Sequence, residues 1–585
     1  MRISLLAASL PLALGLAACS SEAPPSAEPA AAAPAATEAP AAVATTSAPS
    51  SHSFEAAITP GDYAEHVRVL ASDEFEGRAP GSPGEKKTIE YLQKEFERLG
   101  LQPGNNGSWF QTVPMVATTT DPSASLGFKV GETEIKPAYA TQMVIGTRTG
   151  APESNLADSE VVFVGYGVNA PELGWNDYAG LDVKGKTVVM LINDPGFHTD
   201  DESLFEGKRM TYYGRWTYKF EEAARQGAAL AIIVHDDAGA AYPWEVVQNG
   251  WTGAQFDLPV SVDPEPRLPL QGWISGPSAE QLFSAAGQDF SALRTAASQR
   301  GFTAVPLNAT ASAAVKSSVR EGKSENVLAM LPGAQQAEEA VVYMAHWDHL
   351  GRSFQPGADQ IYNGAIDNAT GVAGVLEIAE KFATGPKPAR SLLFLIVTLE
   401  ESGLLGSKYY VGNPVIPLHK TVATINLDAM SVIGRTRDFT VVGFGSSELE
   451  DILRPIAESQ SRVLQPESAP QGGFYFRSDH FNFAKAGVPS LYAKGGVDHV
   501  EKGEEHGKAL AADYTANRYH KPGDEFDPNW DLAGVMEDLE ALYGVGNQLV
   551  TSEAWPNWYP TSAFKAAREA SLEAGNASAP PEHAQ

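Results

Sequence analysis

The stretch Val341-Val342-Tyr343-Met344-Ala345-His346-Trp347-Asp348-His349 decides the fold. Five apolar residues in a row read as a strand covered on both faces, since a strand with one wet face would alternate. The run ends on an imidazole and a carboxylate. Two further runs behave alike. Leu392 to Thr398 leads to Glu400-Glu401, and Val422 to Leu427 leads to Asp428. A helical pattern from Gly371 to Phe382 lies between the first run and the second. This alternation predicts an α/β fold: a three-layer, mixed and largely parallel sheet flanked by helices. Open sheets of this kind place their sites outside the carboxyl ends of the strands.

Two more residues join those at the strand ends. Asp367 lies in the loop Gly364-Ala365-Ile366-Asp367-Asn368, before the 371–382 helix. His520 lies in Tyr519-His520-Lys521-Pro522-Gly523-Asp524. Each has a bland reading alone. Asp367 reads as a helix N-cap, Glu400-Glu401 as a solvated pair, and His520 as an ordinary loop residue. The convergence of three strand ends argues against all of these at once. Two imidazoles and three carboxylates can supply a two-metal site with one carboxylate shared. A further Glu can then carry protons.

Outward from this core the chain divides by texture. Met1 to Cys19 has a cationic start, an apolar run and Leu16-Ala17-Ala18-Cys19. That is the layout of an export signal with a lipidation site, and Cys19 is the only cysteine in the chain. Residue 20 is Ser rather than Asp, which implies outer-membrane attachment, facing the periplasm or the cell surface. Residues 20–56, rich in Ala and Pro, read as a disordered tether. Residues 57–117 and 305–555 form the sheet domain. Residues 118–304 have short Val-rich runs, one helix near Phe220 to Gln226 and no cluster of metal-type side chains. They read as an inserted, mostly-β domain. Residues 556–585 read as a flexible tail.

The motifs His-x-Asp, Asp-Asn-x-x-Gly, Glu-Glu-x-Gly-Leu-x-Gly-Ser and Tyr-His-x-x-x-Asp, in this order, resemble the M28 zinc peptidases. The likeness covers roughly 57–117 and 306–550. It is most specific over Leu399 to Tyr410. The insert more diffusely resembles a protease-associated domain. The resemblance implies two zinc ions. His346 and Asp428 would hold one, Glu401 and His520 the other, and Asp367 would bridge them. Glu400 would be the general base. Asp348 would hydrogen-bond the far nitrogen of His346, and Tyr519 would lie near the oxyanion. Arg477-Ser478-Asp479-His480 matches a segment near the substrate pocket, which makes His480 a pocket residue. His349, His499 and His506 have only surface or packing readings.

A formal charge of −30 argues against nucleic acid as partner. No Gly-x-Ser-x-Gly appears in the sheet domain, which argues against a serine hydrolase. The resemblance implies an exopeptidase acting on peptides, an aminopeptidase first. Its other outcomes are a carboxypeptidase, a glutaminyl cyclase, or a binding protein on the same scaffold. The last would have lost ligands, and here all five are present. The sequence leaves the oligomeric state open. Its only membrane link is the lipid on Cys19.

Overall fold

The expected strand at 341–345 runs from Gln336 to His346 and sits at the centre of a mixed sheet. It pairs in parallel with Arg390–Val397 on one side and Thr421–Asn426 on the other. Ser490–Gly495 adds a fourth parallel strand. Antiparallel strands follow on both sides, Val305–Leu331 beside Arg390–Val397 and Asp438–Val441 beside Ser490–Gly495. The computed structural model describes residues 52–199, 201–353 and 359–578. The export signal, Cys19 and most of the tether lie outside them.

Alternate side chains of the central strand enter different layers. Val341, Tyr343 and Ala345 join a core with the helices Pro60–Leu70, Thr370–Thr384 and Ala533–Thr551. Val342 and Met344 join a second core with Tyr410 and Phe483, from the helices Leu405–Gly412 and His480–Lys485. Both faces are therefore dry. Each buried side chain of this size contributes about 1.5–3 kcal/mol, so the unbroken apolar run is what two-sided burial requires.

The insert has a sheet of its own. Glu153–Phe163, Thr187–Leu191, Leu230–Val234 and Leu270–Ile274 pair in parallel. Parallel neighbours need crossovers, and helices such as Trp216–Arg225 and Trp244–Thr252 serve in them. Gly276–Ala285 and Phe290–Ala297 follow the last parallel strand. The expected mostly-β insert with a single helix is thus corrected to an α/β unit. The missed helices run ten residues or fewer, too short for a helical period to stand out. The 27-residue strand Val305–Leu331 begins at the expected boundary, yet its first part belongs to the insert's sheet. Its first part pairs with Glu153–Phe163 in the insert, and its later part pairs with Phe110–Thr120 and Arg390–Val397.

The expected flexible tail packs instead. Trp558 is buried and donates its indole N–H to the Gly487 carbonyl at 2.8 Å. Arg568, in the helix Lys565–Ser578, is buried and donates to the carbonyls of Thr421 and Leu418 at 3.1 and 3.3 Å. An Ala- and Glu-rich composition concealed these two anchors. Among the described residues no helix is long and apolar enough to cross a membrane.

Candidate metal centre

Strand register brings the site together. His346 is the last residue of its strand and lies opposite Val397, three residues before Glu400. Met344 lies opposite Asn426, two residues before Asp428. The chain leaves the sheet beside left-handed residues, Leu399 with φ 57° before Glu400 and Ala429 with φ 48° after Asp428. His520 itself has φ 54°. Such conformations are uncommon without glycine and persist where surrounding contacts hold them. Lys494 supplies some of those contacts, donating to the carbonyls of Asp428 and Ala429 at 3.0 and 2.8 Å.

The loop carrying Asp367 is held from both sides. Asp524 accepts the backbone N–H groups of Ile366 and Asp367, each at 3.0 Å. The helix cap expected of Asp367 is made by its neighbour. The Asn368 side-chain oxygen accepts from Gly371 N–H at 2.9 Å, and its amide donates to the Leu427 carbonyl at 3.0 Å. A Cβ at Gly371 would collide with both Asn368 and Leu427, so only glycine lets the helix start this close to the Asp428 strand. Arg78 supports the other side of the loop. It is buried and donates to the carbonyls of Leu70, Trp347, Asn363 and Gly364. Nothing in the sequence near Arg78 signalled this role.

Asp367 is the centre of the cluster. One carboxylate oxygen lies 3.3 Å from His346 Nε2, and the other lies 3.2 Å from His520 Nε2. His346 Nε2 is also 3.6 Å from Asp428, and His520 Nε2 is 3.2 Å from Glu401. His349, given only a surface or packing reading by the sequence, is buried, and its Nδ1 lies 2.6 Å from Glu401. Two sets of donors are close enough to share an ion: His346 with Asp367 and Asp428, and His349 with Asp367 and Glu401. The His-x-Asp-His spacing could have flagged His349, because the residue after Asp348 stays at the same strand end.

Other expected contacts differ. The Asp348 carboxylate is 4.0 Å from His346 Nδ1, too far for the predicted hydrogen bond. The Asp348 backbone carbonyl accepts from that nitrogen instead, at 3.1 Å. A carbonyl can only accept, so Nδ1 carries a proton, and Nε2 is the nitrogen that faces Asp367 and Asp428. The freed carboxylate takes the backbone N–H groups of Glu400 and Glu401, at 3.1 and 3.4 Å. Tyr519 is partly exposed and stacks on His520 with ring centres 4.0 Å apart. His480 is fully buried between Tyr475 and Tyr492, with Nδ1 3.3 Å from the Asn426 amide. It supports the wall rather than lining an open pocket.

Burial and like charge act together here. Burial opposes the charge on His346, but Glu400, Asp367 and Asp428 outweigh it and hold the imidazolium well above its ordinary range. Burial is the main force on Glu400. His346 counters it and Glu401 reinforces it, and the carboxyl stays well above the usual range. Burial pushes Asp348 up to about 7. Burial also opposes the charges on Asp367 and Glu401, but the facing imidazoles outweigh it, holding Asp367 well below the carboxylate range and Glu401 down to about 2.

The donor set fits a divalent ion. Imidazole nitrogens mixed with carboxylate oxygens are the ligands zinc takes. His346 presents Nε2 to two carboxylates, where a bound cation would take the place of its proton, and His349 Nε2 is buried with no partner.

Residues 326–543 match the profile of peptidase family M28. This part of the chain belongs to that family. A protein of Mycobacterium tuberculosis named "Probable lipoprotein aminopeptidase LpqL" is 26% identical over 343 residues, covering 56% of this chain and 58% of its own length. Leucine aminopeptidase 2 of Trichophyton rubrum is 30% identical over 174 residues, 28% of this chain and 34% of that protein. The chain thus spans well under two thirds of these relatives. An aminopeptidase structure from Aneurinibacillus sp. strain AM-1 is similar with a TM-score of 0.45 and 18% identity, covering 84% of this chain and 94% of that one. The M28 match ends at 543, before the packed residues Trp558 and Arg568.

Proposed function

We propose that the protein is a zinc-dependent aminopeptidase that removes N-terminal residues from peptides. Asp367 carries this reading. Its two oxygens face the imidazoles of His346 and His520, at 3.3 and 3.2 Å, as a carboxylate shared between two ions would. His346 and Asp428 would hold one zinc, and Glu401 and His520 the other. His349 would orient Glu401 through their 2.6 Å contact. The family match and the names of the relatives support the aminopeptidase reading.

Bound zinc supplies Lewis acidity, polarising a carbonyl and making water more acidic. The remaining work falls to the chain. Glu400 takes the proton of the attacking water and returns it to the leaving amine. Its raised pKa suits a group that must both accept and give. Asp348 fixes the backbone of Glu400 and Glu401, so base and ligand keep their relative placement. Although the Tyr519 side chain is partly exposed, desolvation beside the cluster and then the charges of Asp367 and Glu401 raise its phenol, which stays protonated and can donate to a developing oxyanion. Lipid on Cys19 would tether the exported enzyme to a membrane. The start of the sequence and the lipoprotein relative support this.

Aminoacyl anilides beside N-acetylated peptides, with and without chelator, test the reading. Free-amine substrates should be cut, blocked ones spared, and chelator should abolish the activity. Cleavage of blocked peptides from the carboxyl end would replace aminopeptidase by carboxypeptidase.

A further inference from the structure

Three imidazoles face the carboxylates of the metal centre, and their spacing divides them into two kinds. Two ligands of one tetrahedral zinc, each about 2.1 Å from it, stand about 3.3 Å apart. Four nitrogen–oxygen pairs keep near that spacing. His346 Nε2 lies 3.3 Å from Asp367 and 3.6 Å from Asp428. His520 Nε2 lies 3.2 Å from both Asp367 and Glu401. The fifth pair departs from it. His349 Nδ1 lies 2.6 Å from Glu401 Oε1, well inside the ligand spacing and in the range of a charge-assisted hydrogen bond. An ionised carboxylate only accepts, so Nδ1 supplies the proton.

The His349 ring is fixed in that place. Its side chain is wholly buried, and its backbone N–H donates to the Arg78 carbonyl at 3.3 Å. The ring lies against Gly364, where a Cβ would meet its Cδ2 and Cγ at 2.5 and 2.6 Å. Gly364 also has φ 56°, so glycine serves both the turn and the ring. Nε2 is buried without a partner, which leaves the bond to Glu401 as the polar contact the ring makes.

This arrangement splits Glu401 between its two oxygens. Oε1 is taken by His349, and Oε2 faces His520. Asp348 holds the backbone N–H of Glu401 at 3.4 Å, so the side chain leaves the chain from a fixed point. A carboxylate beside a cation is otherwise free to bind through one oxygen or through both.

We propose that His349 is a positioning residue that restricts Glu401 to one-oxygen ligation and thereby keeps a coordination position of the second ion open for the substrate. The chain then offers that ion one oxygen of Asp367, one of Glu401 and Nε2 of His520. Three protein ligands and an open position distinguish catalytic zinc from structural zinc. The inference rests on the zinc peptidase reading for its ion. The hydrogen bond and the buried ring stand without it.

Zinc-loaded crystals of the wild type, His349→Leu and His349→Asn test the proposal. Leucine fills buried space without a donor, and asparagine can bring an amide nitrogen near the position of Nδ1. In the wild type one Glu401 oxygen should bond the second zinc at about 2.0–2.2 Å while the other stays with His349. In His349→Leu both oxygens should bond it, and His349→Asn should restore the wild-type pattern. Both Glu401 oxygens on zinc in the wild type, or His349 Nδ1 on zinc, would overturn the proposal. One-oxygen ligation that survives in His349→Leu would do the same.

Zinc competition titrations beside kinetics give a second reading in solution. His349→Leu should hold its second zinc at least as tightly as the wild type, since Glu401 gains a bond to it. Its activity should nevertheless fall about 10- to 100-fold, because the open position is filled. A second zinc weakened in step with activity would show that His349 only orients a ligand, and the proposal would fall. Hydrolysis of free-amine anilides by the wild type judges the aminopeptidase reading separately, since it can hold while the ligation pattern fails. A wild type that binds no second zinc would remove both.

Discussion

Two clusters of buried ionisable groups sit in this chain, and they differ in how their carboxylates are satisfied. In the insert, Asp177 accepts from Val168 N–H and the Trp175 indole at 2.9 and 2.8 Å. Asp194 accepts from Gly196 N–H and from the backbone and hydroxyl of Thr211. Lys219 stands near both and donates to the Tyr166 carbonyl at 2.5 Å. At the edge of the M28 sheet, Asp367, Glu401 and Asp428 face imidazoles and one another, and Asp428 meets His346 at 3.6 Å. The residue types overlap. What separates a structural carboxylate from a chemical one is whether backbone donors already occupy its oxygens.

Glu400→Gln should have the largest effect. It keeps shape and removes the proton carrier, so kcat should fall by about 10² to 10⁴ while metal content is retained. Metal analysis beside steady-state kinetics checks this. Loss of metal with the variant would place Glu400 among the ligands and Glu401 as the base.

Lys219→Met probes the other cluster. Removing the cation strands two buried carboxylates, which should destabilise the fold by about 3–5 kcal/mol where both are ionised. Burial already raises Asp177 and Asp194 to about 7. Without Lys219 they would hold their protons to higher pH still. The folded state then binds more protons than the unfolded one above pH 4, so stability falls as pH rises. Urea unfolding at pH 6 and pH 8 should show the greater loss at pH 8. A pH-independent loss would mean that Lys219 acts by packing alone. A loss that followed chelator treatment would erase the distinction between the clusters.

Asp348→Asn should act more mildly. The amide can keep one of the two backbone N–H groups that the carboxylate holds, and a loss of about 10- to 100-fold in activity is typical for a group supporting metal ligands. If activity fell as far as in Glu400→Gln, Asp348 would contact the reacting atoms itself.

Much of this arrangement was legible. The runs at 341–345, 392–398 and 422–427 are apolar because the strands are covered on both faces, and that same burial fixed where His346, Glu400, Glu401 and Asp428 emerge. Long-range pairings were not legible. Arg78 reaches the carbonyls of Trp347, Asn363 and Gly364 across 269, 285 and 286 residues of sequence. Asp348 exchanged a carboxylate contact for a carbonyl one, a choice that local strand geometry makes and composition does not record. The strand Val305–Leu331 alternates buried and exposed residues through Lys316, so its polar texture hid its passage from one sheet to the other.

His480 lies between the two regimes, since one ring nitrogen is satisfied and the other is not. Nδ1 accepts from the Asn426 amide, while Nε2 is buried without a partner. Burial pulls its pKa down to about 3. The free side chain titrates near 6.5, so below that pH the unfolded chain takes up a proton that the folded chain refuses. The contribution of His480 to stability is therefore complete above about pH 6.5 and declines toward pH 3, by about 1.4 kcal/mol per pH unit. His480→Phe suits a site bounded by Tyr475 and Tyr492 and cannot titrate. Other groups contribute to both proteins and cancel in the difference. Urea unfolding between pH 7.5 and 5 should give the wild type a steeper acid loss by one proton. Parallel curves would mean that His480 is protonated in the fold, with a carboxylate such as Asp428 close enough to hold it, and the wall would then belong to the metal centre.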